Sequence, residues 1–388
     1  MRFLIIVSVI LIFGTCDYPY GLGEKKEDTT VVLDTVLKIE EVPLSEFDNL
    51  AKIICGKSFI SIIDSLYYSS FSDSMRFRFE EIEFGRLNPL NKWYERVKSL
   101  TPYSKVKRVF YPFSGGDFLH MYYTYPEADE YVMMAIEPVG ELPNFGKLSA
   151  SDQDSALEQI QYMLRDVFKR SYFITKNMRD DIVYKKFIDG VLPMIVWGIA
   201  ITEHEIISIE SASIDSLGQI TTQHVSLDSQ NFPDGVKIKF QKKGSDDIKS
   251  LVYLSDDISN EGFLKNKPLQ NFIQNLDSVG SFMKAASYLC HYNGFSMIRD
   301  YILKKSVVHL QDDTGIPFKY FVANDFSALL YGVYDIPIED FSPKLFQEDL
   351  ATLYADSTLY FGPLPFSMGY HWASKNQNQM VFFRSGKL

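Results

Sequence analysis

Apolar patterns of helical period and of strand period fall in blocks along this chain instead of alternating one for one. Strict alternation would predict a doubly wound parallel sheet. Blocks predict an α+β fold, with antiparallel sheet and helices packed against it. Residues 46–68 have apolar spacing compatible with a helix, and 87–100 reads as a short amphipathic helix entered through Asn88-Pro89. Segments 105–113, 120–125 and 131–137 are β-branched or aromatic, with a turn at 126–130, which predicts an antiparallel meander. A surface helix is expected over 151–174, where Leu157, Ile160, Leu164, Val167 and Phe168 recur behind a Ser151-x-x-Asp154 cap.

The run at 187–201 is apolar nearly all round, but Gly190, Pro193 and Gly198 interrupt it, so it is read as core and not as a membrane span. Short strands follow over 205–255, with turns at Asp234-Gly235 and Lys243-Gly244. Three helices are expected at 269–276, 281–291 and 295–304. Strands are expected at 307–310, 318–322, 329–334, 367–372 and 380–384, with a hairpin around 375–378. A faint echo between residues 111–117 and 251–257 suggests two related lobes, divided here as 35–203 and 204–388.

Export dominates the N-terminus. Behind Arg2, residues 3–13 form an apolar run too short for the roughly 20 helical residues that span a bilayer, the pattern of a signal-peptide h-region. The run ends in Phe13-Gly14-Thr15-Cys16, which resembles a bacterial lipobox, so residues 1–16 are read as a signal peptide and Cys16 as the lipidated residue of a lipoprotein. A soluble secreted protein is the competing outcome. Residues 17–34 are polar and read as a tether. Cys55 and Cys290 are then left as two separate buried thiols or as a single disulfide.

A net charge of -11, with no Lys/Arg cluster longer than two residues, argues against nucleic acid as a partner, because phosphate binding needs a positive patch. Glycine-rich phosphate loops, zinc knuckles and H-E-x-x-H helices are missing from the sequence, so no cofactor or metal is expected.

The densest chemistry lies in residues 110–140. Ser114, Asp117 and His120 invite a triad, but in an extended strand Asp117 would point away from His120. Gln311-Asp312-Asp313-Thr314-Gly315 offers paired carboxylates, or equally an Asx turn closed by Gly315 and Pro317. The segments 111–119, 137–140, 311–317 and 369–371 together resemble a group of uncharacterised bacterial exported proteins and lipoproteins that share the pattern FYPFSGxDFL…EPVG…QDDxGIP…GYH, Gly116 standing where proline is usual. That resemblance implies a cell-envelope location and brings no activity with it. The expectation is therefore an exported, lipid-anchored envelope protein that binds a ligand or protein partner, attached to the membrane through Cys16. The alternative is an envelope hydrolase of polysaccharide, peptide or lipid using acidic residues, for which Asp117, Glu137, Asp312 and Asp313 are the candidates.

Overall fold

The computed structural model describes residues 45–57, 63, 66–170, 186–337, 345–356, 362–371 and 377–384. The export signal, Cys16 and the tether lie outside the described residues, as do residues 375 and 376 of the turn expected at 375–378. The chain from Val42 onward forms one unit. It is an α+β fold built on a single ten-stranded sheet. In chain order the strands are β1 (Arg108–Pro112), β2 (Glu130–Ala135), β3 (His204–Ile214), β4 (Ile220–His224), β5 (Gly235–Lys242), β6 (Ile248–Ser255), β7 (Val279–Met283), β8 (Ser306–Gln311), β9 (Ser327–Gly332) and β10 (Asn378–Phe383). Across the sheet they run β4-β3-β5-β6-β2-β1-β7-β8-β10-β9. The residue 203/204 boundary falls within this unit, and β2 and β1 from before it sit side by side in the sheet between strands from after it.

Antiparallel ladders hold both flanks, β3 with β4 and β5, β5 with β6, and β10 with β8 and β9. The centre is different. β6, β2, β1, β7 and β8 are parallel to one another. The meander expected over 105–137 is thus corrected to a strand, a helix and a parallel strand. Residues 118–124 are rich in aromatics that favour strands, yet the Asp117 carboxylate caps their first turn by accepting from the His120 amide, and the chain turns helical there.

Parallel central strands need crossovers, and these cover both faces of the sheet. On one face lie α1 (Glu46–Ile54), α2 (Tyr68–Ile82), α3 (Asn88–Val97), α4 (Phe118–Thr124), α5 (Ala150–Arg170) and α6 (Leu192–Ile201). The other face carries α7 (Asn260–Lys265), α8 (Lys267–Asn275), α9 (Ser296–Lys305), α10 (Phe318–Val322) and α11 (Glu348–Ala355). Side chains divide between these layers with period two: Val109 and Tyr111 of β1 face the first core, and Phe110 faces the second.

Helix periodicity explains α3, which buries Leu90, Trp93, Tyr94 and Val97, and α5, which buries Ala156, Leu157, Ile160, Met163, Leu164 and Val167. Every residue of α6 is buried, with Pro193 tolerated in its first turn. Three further expected elements change type. Residues 281–291 are the end of β7 followed by a 3-10 helix, Ala285–His291, and 318–322 is the short helix α10. Gly369–His371, expected in a strand, forms a 3-10 turn. Cys55 and Cys290 are separate buried thiols, each pushed up to about 12 by burial. No helix among the described residues is long and apolar enough to cross a membrane.

Candidate functional site

The parallel centre has a topological switch point. From β1 the chain crosses through α4 to β2 on one side; from β7 it crosses through α9 to β8 on the other. The two connections leave adjacent strands over opposite faces of the sheet, so a crevice opens between them at the carboxyl ends of β1 and β7, where open sheets of this kind place ligands.

A pocket of about 220 Å³ occupies this crevice. Its walls come from the turn after β1 (Phe113, Ser114, Gly115), the end of β2 (Ala135, Ile136, Glu137), the turn after β6 (Asp257, Ile258) and the segment after β7 (Ala285, Ala286, Leu289). Phe113 and Phe295 meet edge-on across it at 5.7 Å. Two non-glycine residues adopt left-handed backbone here, Phe113 at φ 61 and Ala285 at φ 57. Such conformations cost on the order of 1–3 kcal/mol each and persist where the surroundings impose them, which happens most often around functional sites.

Polar groups form the floor. Lys284 Nζ lies 2.5 Å from Asp117 Oδ2, both side chains 3% exposed. The Tyr111 hydroxyl donates to the same oxygen at 3.3 Å, and His120 Nδ1 donates to Asp117 Oδ1 at 2.7 Å. Burial alone would raise the Asp117 carboxyl, but His120 and Lys284 outweigh it and hold it down to about 2. Burial depresses His120 to about 4 against the pull of Asp117, so the ring is neutral at neutral pH and its Nδ1–H is the donor. Lys284 is lowered by burial, with Asp117 opposing. At the mouth, burial raises the Glu137 carboxyl.

Asp117 and Glu137, both expected on acidic chemistry, therefore share one pocket with their acidities driven apart. Asp312 and Asp313 do not line it. Asp312 Oδ1 accepts from the Thr314 amide and hydroxyl, an Asx turn, and Asp313 Oδ1 accepts from Asn378 Nδ2 at 3.0 Å, tying β8 to β10. Asp312 nevertheless approaches the floor from behind. A Cβ placed on Gly369 would lie 2.7 Å from Asp312 Oδ2 and 3.3 Å from Lys284 Cγ, at a backbone φ of +62 that itself favours glycine. The segments 111–119 and 137–140 thus line the pocket, and 311–317 and 369–371 reach it from behind Lys284 through Asp312 and Gly369.

The triad reading is corrected in detail. Asp117 and His120 do bond, because the segment is helical and not extended, but the Ser114 hydroxyl donates to the main-chain oxygens of Gly115 and Met134, and His120 Nε2 has no partner. His204 is packed against Tyr122 and Phe240. Among the described residues no three His, Cys, Asp or Glu side chains gather as a metal-ligand set.

Sequence reasoning missed Lys284, because 281–291 looked like one helix. The available signal was a lone lysine following five apolar or small residues, Val279 to Met283, a position where an unpaired charge would be costly. The chain matches no family model, no curated protein and no solved structure.

Proposed function

We propose that this is an exported, lipid-anchored envelope protein whose globular unit binds a small ligand with an apolar body in the pocket between β1 and β7. The observation that carries this reading is a cavity at the switch point of a parallel sheet, with aromatic and aliphatic walls converging on a small set of fixed polar groups. Anchoring through Cys16 is supported by the lipobox resemblance alone. The test of binding uses N-phenyl-1-naphthylamine, a neutral fluorescent probe. Its emission should rise on addition of the protein and return to baseline with Ala286→Trp, which fills the cavity, while the variant unfolds at the wild-type temperature. Equal probe binding by both proteins would overturn the assignment.

One observation favours a hydrolase as the second reading. Environments that push two carboxyls of one pocket apart, Glu137 upward and Asp117 downward, are how enzymes divide acid and base roles. Glu137 would then protonate a leaving group. Hydrolysis of nitrophenyl esters or glycosides that disappears in Glu137→Gln, with probe binding retained, would establish it. No turnover of either class by the wild type would remove it.

A further inference from the structure

The floor of the pocket ends on an amine. Lys284 is 3% exposed yet lines the cavity beside Tyr111 and Asp117, which lets a buried lysine meet a ligand without meeting bulk water. Ala285 and Ala286 beside it are small, and Gly369 leaves the space behind its stem open to Asp312. Amine, carboxylate and phenol converge within hydrogen-bonding distance, Lys284 and Tyr111 both meeting Asp117 Oδ2.

We propose that Lys284 forms an imine with a carbonyl compound, an aldehyde or ketone whose apolar body is held by the walls of this pocket; the proposal rests on the ligand-binding reading above.

Each atom in this step has a place. The Lys284 ammonium gives a proton to Asp117 Oδ2, leaving a lone pair on Nζ. That pair adds to the carbonyl carbon as the π pair moves to oxygen, and the oxygen takes the proton from Asp117, giving a carbinolamine with a protonated nitrogen. Asp117 next removes one proton from that nitrogen and delivers it to the hydroxyl. Water leaves, and the nitrogen lone pair closes the C=N bond. The sum is ammonium plus carbonyl giving protonated imine plus water, with no oxidant or reductant consumed. Tyr111 keeps the carboxylate aligned throughout, its own hydroxyl held far above its ordinary range by burial and by Asp117 and so remaining protonated. Burial lowers the Lys284 ammonium, which favours the first transfer, while His120 and Lys284 hold the Asp117 carboxyl low, which opposes it, so the proton rests on Asp117 only until the carbonyl oxygen takes it.

The experiment treats full-length protein with 3-phenylpropanal, reduces it with sodium borohydride and maps the modified peptides by mass spectrometry. The expected result is a reduced adduct predominantly on Lys284, suppressed by excess N-phenyl-1-naphthylamine and lost in Lys284→Arg. Mapping on the wild-type protein decides the point even where that variant does not fold. Adducts spread over exposed lysines with Lys284 unmodified, while the neutral probe still occupies the pocket, would overturn the imine and leave the binding reading standing. Exclusion of both the aldehyde and the probe would overturn both.

Discussion

The carboxylate of Asp117 and the ammonium of Lys284 meet at 2.5 Å beneath the pocket, joining the turn after β1 to the end of β7. Removing one member of such a pair leaves the other charge buried and uncompensated, typically at a cost of about 3–5 kcal/mol, whereas replacing both with neutral groups costs less. Lys284→Met and Asp117→Asn should each lower stability by that order, and the double variant should lose clearly less than their sum. Urea titration of the four proteins measures the coupling. Simple additivity would mean that the two groups do not sense each other.

Acid should weaken the fold before it touches the carboxylates. His120 and His309 are both fully buried, and burial depresses each to about 4. In the unfolded chain a histidine titrates near 6.5, so between roughly pH 6.5 and 4 the unfolded state binds protons that the folded state refuses. Stability therefore rises with pH through that window and is lost as pH falls, by up to about 1.4 kcal/mol per pH unit for each such histidine. His309 sits in a buried chain, Ser281 bonding its Nδ1 and Gln311 its Nε2, and His309→Asn should flatten the slope by about one proton. Urea midpoints at pH 7, 6 and 5 test this, and a stability unchanged across that range would contradict it.

Gly140 and Gly190 lie back to back where the loop after β2 meets the start of α6. A Cβ on Gly140 would come within 2.5 Å of the Gly190 nitrogen, and one on Gly190 within 2.4 Å of the main chain at 139–140. Neither contact can relax without moving backbone. Gly140 also has φ +72, which penalises any other residue. Gly140→Ala and Gly190→Ala should each destabilise by more than the roughly 1 kcal/mol at which the effects of point substitutions centre. Thermal unfolding by circular dichroism is the readout, with Gly244→Ala as a partial control, since that glycine has φ +78 but open space around it. A Gly190→Ala protein as stable as the wild type would show that the two loops are not in contact.

Lipidation at Cys16 is decided by intact mass of the membrane fraction. Wild-type protein should carry the acyl mass, and Cys16→Ala should lose it and shift to the soluble fraction. An unmodified wild-type N-terminus would refute the anchor.

Legibility in the sequence followed the strength of local signals. α3 and α5 could be read from spacing, since their buried residues recur at three and four. The parallel centre could not. Phe118, Tyr122 and Tyr123 are strand formers by propensity, and only the cap from Asp117 to the His120 amide turns them into the crossover that makes β2 parallel to β1. Half of the site was visible as Asp117 and Glu137, because acidic residues beside glycine and proline stand out. The other half, Lys284, arrives from a strand about 170 residues further along the chain (284 against 117), and no local pattern announces a pairing of that range.

The position of β10 has a kinetic consequence. This strand comes last in sequence among the described elements, yet it is inserted between β8 and β9, bonded to both. Until it has been synthesised, β8 offers an unpaired edge and β9 has no neighbour at all, so the ladder on that flank cannot assemble in the order of translation. Folding must wait on a late, long-range closure, the class of step that slows refolding and leaves strand edges open to wrong partners in the meantime.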